Sequence, residues 1–244
     1  VIVSLIPRRL HLGVTTVLAC WLVGFNLWLW GAVAQHVASS RWLEVTVLDV
    51  GHGDSAVIRT PSQHTLVVDV GTEEAGRYTV VPFLRFKGFH TVDALVLTHP
   101  DEDHIGGTVS LLRQVRVKHV LTNGFVPKTV SARRMMDRLG ASGIPQARLT
   151  AGARLTGELG ADILTLHPPA DFVPGTASSS NDNSVVLRVA KGDRSLLLCG
   201  DLEEAGLPWI VAWERALHAT VLKVPHHGSE LGTAGRLFFA RVHP

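Results

Sequence analysis

The stretch VDALVLTHPDEDHIGG, Val92–Gly107, narrows what this chain can become more than any other part of it. VDALVL is almost wholly apolar, the composition of a short strand covered on both faces. Two histidines and three acids follow at once within His99–His104, and then come Gly106 and Gly107. A buried strand that ends this way delivers its titratable groups to one edge of a sheet, on a tight loop leading into a helix. Imidazoles and carboxylates packed so closely repel one another or stay solvated unless a cation holds them. Neutral imidazole and ionised carboxylate are the ligands that borderline divalent cations such as zinc or manganese take. The two glycines let the backbone turn closely behind those ligands. A solvated acidic loop that happens to carry histidines is the plainer alternative, and the placement directly after the strand weighs against it.

Two further stretches have the same form. LLLCGDLE places Asp201 at the end of an apolar strand, behind Gly200, and LKVPHHGS places His226 and His227 at the end of another. Three strand ends bearing metal-type ligands can converge on one sheet edge. A carboxylate such as Asp201 can bridge two cations, and two cations about 3.5–4 Å apart suit an in-line phosphoryl displacement.

The rest of the chain supplies a scaffold for such an edge. RWLEVTVLDVG, SAVIRT and HTLVVDVG read as strands, with VGHGD as the turn between the first two. VVPFLRFKGF reads as a helix with Pro82 in its first turn. GGTVSLLRQV, TVSARRMMDRLGASG, LPWIVAWERALHA and TAGRLFFARV also read as helices. KHVLTN, ARLTAG and ADILTLHPP read as strands, and SVVLRVAKGDRSLLLCGD as a hairpin turning at Lys191–Asp193. Helices and strands alternate, but the hairpins exclude a pure doubly wound sheet. The expected fold is mixed α/β (α+β), an αββα sandwich. Cys199 reads as a buried structural thiol, His167 as a strand-end histidine, and Trp209–Trp213 as a packing pair at helical spacing.

Ahead of that domain, Leu12–Ala34 is nearly uniformly apolar, with Asn26 its one strongly polar residue. As a helix it rises about 34 Å, enough to cross a bilayer. A secretory signal cleaved after the AVA at Ala32–Ala34 is the rival reading, and the length favours a span. Arg8 and Arg9 place the N-terminal side in the cytoplasm and the globular part of the chain outside it. The expected division is a transmembrane helix with its flanks over residues 1–40 and a globular domain over 41–244. A net charge of +2 gives no bulk argument for nucleic acid, and two cysteines exclude a disulfide framework and a cysteine-rich zinc module. Thirteen histidines, by contrast, exceed what packing asks of a chain this size.

LDVGHGD at 48–54, LVVDVG at 66–71, LTHPDEDHIGG at 97–107, NDNSVVLRV at 181–189, LLLCGDLE at 197–204 and LKVPHHGS at 222–229 occur together in this order. In that set the chain resembles the metallo-β-lactamase superfamily, and within it the C-terminal domain of ComEC-type DNA-internalisation competence proteins. The resemblance implies two divalent metal ions, zinc or manganese. It makes His99 and Asp101 ligands of one metal and Asp103 and His104 ligands of the other, with Asp201 bridging. One of His226 and His227 would complete a metal shell, and the other would protonate the leaving oxygen or contact phosphate. Asp103, His226 and His227 are then the catalytic candidates, and His227 also joins the metal ligands. Asp54 and Asp69 would orient the ligand histidines, against a plain turn role. Asn181, Asn183 and Ser184 would face substrate phosphate, against an ordinary polar turn.

Departures from the family pattern qualify this. Asp101 stands where the broader superfamily has a second histidine, which marks the competence-type branch and favours a harder cation. His52 stands where glutamine is common. The chain ends before the Gly-His-Pro stretch that the family carries downstream, so the expected domain is C-terminally truncated, with one metal short of a ligand and a sheet edge exposed. His243 reads as a helix-end residue.

The first expected function is a metal-dependent phosphodiesterase, a DNA nuclease in a membrane protein of the uptake machinery, degrading one strand during transformation on the non-cytoplasmic side of the plasma or inner membrane. Arg85, Lys87, Arg133, Arg134 and Arg138 would meet phosphates, or are simply solvated helix faces. The alternatives are a metallo-hydrolase of the same fold acting on a small phosphoester, and a metal-poor DNA-binding scaffold of the channel. Asp101 argues against a lactamase.

Overall fold

The computed structural model describes residues 8–39, 42–155, 159–174 and 180–244. By contact it separates into Val1–Trp42 and Leu43–Pro244.

The first unit is one helix, α1 (Arg8–Ser39). Its stretch Gly13–Ala34 is long and apolar enough to cross a membrane. Trp21, Trp28 and Trp30 lie exposed along it. Asn26 donates its amide to the Leu22 carbonyl (2.9 Å), which gives one of its N–H groups a partner within the helix. The side chains of Arg8 and Arg9, on which the expected orientation rests, lie outside the described residues.

The second unit begins with strands β1 (Glu44–Val47), β2 (Ala56–Arg59) and β3 (Thr65–Val68). The helical turn α2 (Glu73–Ala75) runs through a π-helical segment, Gly76–Val80, into α3 (Val81–Phe86). Then come β4 (Thr91–Val92), β5 (Ala94–Leu97), α4 (Glu102–Ile105), α5 (Thr108–Gln114), β6 (Arg116–Val117) and β7 (Val120–Thr122). After α6 (Val130–Gly140) and β8 (Gln146–Arg148), the second sheet is formed from β9 (Asp162–His167), β10 (Val186–Lys191) and β11 (Arg194–Leu198). It is completed by β12 (Val221–Lys223), with α7 (Leu207–Val211) before it and α8 (Gly232–Val242) after.

The larger sheet has the order β1-β2-β3-β5-β7-β8, and the smaller β12-β11-β10-β9. Hairpins make β1-β2-β3 antiparallel, while β3, β5, β7 and β8 run parallel. In the second sheet β11 and β12 are parallel and the other pairs antiparallel. The sheets are therefore mixed, as the hairpins in the sequence lead one to expect.

Side-chain alternation builds four layers. Leu66, Val68 and Val96 point between the sheets, where they meet Ile163, Leu187, Val189 and Leu198. The residues between them, Val67, Leu95 and Leu97, point outward onto Val81, Leu84, Leu111 and Met135. On the other side, Leu164, Leu166, Val186 and Leu197 pack against Leu207, Ile210, Phe238 and Val242. Each fully buried leucine or valine contributes roughly 1.5–3 kcal/mol, so both sheets are held from both faces. This is the αββα sandwich.

Four local expectations are revised. Asp103 and His104 sit within the short helix α4, not on a loop, with Asp101 at its N-cap position. Glu102 and Asp103 in the first turn suit the positive helix end. The helix expected from Val80 begins at Thr72, whose hydroxyl accepts from Ala75 N–H (3.2 Å). Pro82 thus lies well inside it. The wider π turn directly upstream takes up the clash that a proline ring makes with the carbonyl four residues back. LPWIVAWERALHA is two pieces, broken where Glu214 takes φ 46. With that break, Trp213 donates its indole N–H to Leu166 O (2.8 Å) and Leu217 enters the core. The strand expected over ARLTAG ends at Arg148, because Ala151 and Gly152 turn to donate to Pro168 O (2.7 Å) and Thr165 O (2.9 Å) of the second sheet's edge.

Candidate metal centre

Parallel strands place their C-terminal ends on one edge, where open α/β sheets hold their sites. Asp69 follows β3, His99 follows β5 and Asp201 follows β11. His226 and His227 lie in the 3-10 turn Pro225–Gly228 beyond β12. Asp54 comes from the turn between β1 and β2.

Asp69 organises the first half of this edge. It is fully buried and takes φ 58. Oδ1 accepts from Thr98 N–H (2.8 Å) and Oδ2 from the Thr98 hydroxyl (2.7 Å). Oδ2 also lies 2.9 Å from His104 Nδ1. A carboxylate only accepts, so His104 Nδ1 carries a proton and Nε2 is left to face the cluster. The Thr98 proton is already given to Asp69. Its oxygen therefore accepts from His99 Nδ1 at 3.0 Å, and His99 Nε2 is freed in the same way. One carboxylate fixes both rings.

The freed nitrogens converge with carboxylates. His104 Nε2 stands 3.2 Å from Asp201 Oδ2, without the alignment of a hydrogen bond, and 3.9 Å from Asp103 Oδ2. His227 Nε2 stands 3.3 Å from the same Asp201 oxygen. Asp103, His104, Asp201 and His227 each offer one atom within 4.8 Å of the others. Beside them His99 Nε2 is 3.8 Å from Asp101 Oδ2, and the His99 and His104 ring centres are 4.1 Å apart. The Ser180 hydroxyl donates to the other Asp101 oxygen at 2.7 Å.

His226 and His227 separate in role. Both take left-handed backbone, φ 44 and φ 53, a strained conformation for such side chains. The turn is tied down by His226 N–H to Gly200 O (3.1 Å) and Ser229 N–H to His226 O (2.8 Å). His227 enters the ligand group, with Nδ1 3.6 Å from Asp54 Oδ1. His226 stays outside that group, with Nδ1 3.1 Å from Glu203 Oε1 and Nε2 3.8 Å from Asp201 Oδ2. The Lys223 ammonium pairs closely with Asp54 and lies 3.9 Å from Asp201 Oδ1. His52 stands over the site, 3.5 Å from Asp103 Oδ2, with its ring 5.4 Å from that of His227.

The charge states are set by burial and these neighbours. Burial, aided by His104, pushes the His99 imidazole down to about 4, so it is neutral at pH 7. Burial works the same way on His104, but Asp69 and Asp201 together outweigh it and hold that imidazole well above its ordinary value. Burial would raise Asp201, yet His104, His99 and His227 hold it well below the usual carboxylate range. Burial raises Asp54 even against the Lys223 ammonium.

The three residues expected to face substrate are placed differently from one another. Asn181 is part-buried and donates its amide to Glu203 Oε1 (3.0 Å), beside His226. Asn183 and Ser184 are buried at 1% and 0% exposure. Asn183 Oδ1 accepts from Val173 N–H (2.8 Å), and its carbonyl from the Asn123 amide (3.0 Å). The Ser184 carbonyl faces His167 Nδ1 at 2.9 Å. Their surroundings give these two a scaffold role beneath the site in place of the expected phosphate contact. The first part of the polar stretch TASSSNDN, residues 176–179, lies outside the described residues.

The residues fit a divalent cation pair. His99 Nε2, His104 Nε2 and Asp201 Oδ1 are buried without a hydrogen-bond partner. Such a group costs about 1–3 kcal/mol if nothing completes it. Two of the three come from the larger sheet and one from the smaller, and all are nitrogen or carboxylate oxygen. Thr98, Glu203, Lys223 and Ser180 escaped the sequence reading. Each stands within three residues of a recognised ligand or substrate residue, which is the signal that could have found them.

A family model described as metallo-beta-lactamase superfamily matches residues 48–241. Among curated proteins, the chain is 31% identical to ComE operon protein 3 of Bacillus subtilis, over 82% of this chain and 27% of that protein. It is 32% identical to competence protein ComA of Neisseria gonorrhoeae, over 98% of this chain and 30% of that protein. It is 27% identical to recombination protein 2 of Haemophilus influenzae, over 86% of this chain and 24% of that protein. The chain thus spans less than a third of the length of these relatives.

Proposed function

Because the chain belongs to the metallo-beta-lactamase superfamily, we propose that its globular domain is a metal-dependent phosphodiesterase that cleaves DNA within a membrane-bound uptake protein. The observation that carries this reading is the gathering of His99, His104 and Asp201 from two sheets, with both imidazole Nε2 atoms buried and unpartnered. The likeness to a protein named for competence and to one named for recombination supports DNA as the substrate. The apolar stretch Gly13–Ala34 supports a membrane setting, with residues 1–40 as the end of a membrane domain and 41–244 as the hydrolase on the non-cytoplasmic side.

Asp103, His104, Asp201 and His227 would hold one cation, and His99, Asp101 and Asp201 the other, as zinc or manganese. When bound, such a pair supplies Lewis-acid stabilisation to a phosphoryl group and eases deprotonation of the attacking water. The chain's own residues do the rest. Asp69 holds the His104 and His99 rings in the tautomers described above, and Asp54 lies beside His227. His226, turned by Glu203 at its Nδ1, keeps Nε2 toward the centre and gives a proton from that atom to the leaving oxygen. Asn181 steadies Glu203 and thereby His226.

The test is cleavage of linear DNA by the whole chain in detergent micelles, with manganese, zinc or EDTA. Asp103→Ala and Asp201→Ala are run beside it. Metal-dependent cleavage lost in both variants is the expected result. A chain that retains two metals and cleaves no phosphodiester sinks the reading.

A further inference from the structure

Three arginines near the metal centre have no part in it. A groove of about 360 Å³ runs between α5 and α6. Ser110 and Arg113 of α5 line one wall, and Ser131, Arg134 and Arg138 of α6 the other. Residues three, four and seven apart share one helix face, so each wall is a continuous stripe. Ile105, Val109, Ala132 and Met135 give the groove an apolar floor.

The arginines are exposed, and none is paired with a carboxylate among the described residues. Glu73 and Glu102 line the same groove and could have neutralised two of them. Glu102 instead accepts from the Thr129 hydroxyl at 3.3 Å. Arg154 is engaged with Asp162 and Arg148 with the Asn123 carbonyl, whereas these three are gathered on the facing walls of one groove. Free guanidiniums kept together on concave walls are a site for an anion with several charges.

The groove also starts at the ligand-bearing helix. In α4, Asp103 and His104 face the metal cluster, while Glu102 and Ile105 face the groove. Arg134 and Arg138 lie one turn apart along α6, about 6 Å of rise, so their charges recur at a regular step. A flat bilayer surface cannot enter a cleft between two helices, whereas a single polymer strand can.

We infer that this groove holds the sugar–phosphate backbone of the nucleic-acid strand being cleaved, with Arg113, Arg134 and Arg138 on its phosphates. The inference rests on the phosphodiesterase reading and adds where the strand lies. Phosphate contacts of this kind position a strand and carry no sequence preference.

The experiment is binding of a fluorescein-labelled single-stranded oligonucleotide to the whole chain in detergent micelles with EDTA, titrated over a range of salt. Each phosphate contact on a single strand contributes about 0.7 to the slope of log affinity against log salt. The triple variant Arg113→Gln, Arg134→Gln, Arg138→Gln is expected to lower that slope by about 2 and to weaken binding roughly tenfold to a hundredfold at 0.15 M salt. Arg194→Gln, at the start of β11, keeps the wild-type slope. If the triple variant fails to fold, Arg134→Gln with Arg138→Gln serves, with a slope lower by about 1.4. An unchanged slope and affinity overturn the groove while DNA cleavage by the wild type leaves the phosphodiesterase reading standing. Loss of phosphatidylglycerol-vesicle binding with unchanged oligonucleotide affinity overturns it in favour of a membrane contact. A lowered slope, with no phosphodiester cleaved under any metal, keeps the groove and removes the phosphodiesterase reading.

Discussion

Asp69 shows how much one side chain can settle. Its two oxygens take up the Thr98 amide, the Thr98 hydroxyl and His104, and through the hydroxyl they also orient His99. Asp69→Asn keeps the shape, but it puts an amide where acceptors are needed and releases both tautomers. Partners of metal-ligating histidines are typically worth 10–100-fold in metal affinity. We therefore predict a fall of that size for Asp69→Asn, measured by chelator competition, with the far-UV spectrum unchanged. Equal affinity in variant and wild type would show that the rings hold themselves. Lys223 is the counterpart on the second sheet. Removing it leaves the part-buried Asp54 carboxylate without its ammonium, so Lys223→Met is predicted to cost about 1–3 kcal/mol in urea unfolding. Adding Asp54→Asn should restore part of that loss. A double variant as unstable as the sum of the two singles would mean that the pair is not coupled.

At the scale of elements, the buried end of β9 makes acid sensitivity predictable. His167 is buried against the Ser184 carbonyl, and burial lowers its imidazole to about 4. Its folded value lies below the unfolded value of about 6.5, so the neutral ring is the native one. The associated stability is fully present above about pH 6.5 and is lost as pH falls toward 4, because the unfolded chain takes the proton first. Between pH 7 and pH 5 this amounts to about 2 kcal/mol. Urea unfolding of His167→Leu at the two pH values, with EDTA throughout, should show a pH loss smaller by that amount. The same loss in both proteins would put the acid sensitivity elsewhere. Local chemistry made part of this scale legible in the sequence. Short apolar runs bounded by turn residues, as in LVVDVG and SVVLRVAK, predict the strands, and the acids at strand ends predict the edge on which the site lies. The start of the helix at Thr72 was not legible, because TEEAGRYT has no apolar period and Pro82 signals a first turn. The links from Asp69 to Thr98 and from Lys223 to Asp54 join residues far apart in the chain. No local pattern carries them, so their partners appear only when the sheets are assembled.

For the whole molecule, the decisive fact is that the candidate ligands come from both sheets. His99, Asp101, Asp103 and His104 stand at the edge of the larger sheet, and Asp201 and His227 at the edge of the smaller. Between the sheets lie the side chains of Leu66, Val68, Leu187 and Leu198, which hold the halves together without help from the edge. A cation pair binding across the seam adds to that contact only in the folded state, so it stabilises by mass action. At a hundred times its dissociation constant this is about 2.7 kcal/mol. Scanning calorimetry should show a higher transition temperature in manganese or zinc than in EDTA. The informative variant is Asp201→Ala. It leaves all four ligands of the larger sheet in place, yet it removes the one carboxylate shared by both cation groups. If the metals act by tying the sheets, this single change should abolish most of the metal-induced rise. If the rise survives, the larger sheet holds its cations alone, and the second sheet serves the chemistry through His226 and His227 without contributing to metal-linked stability.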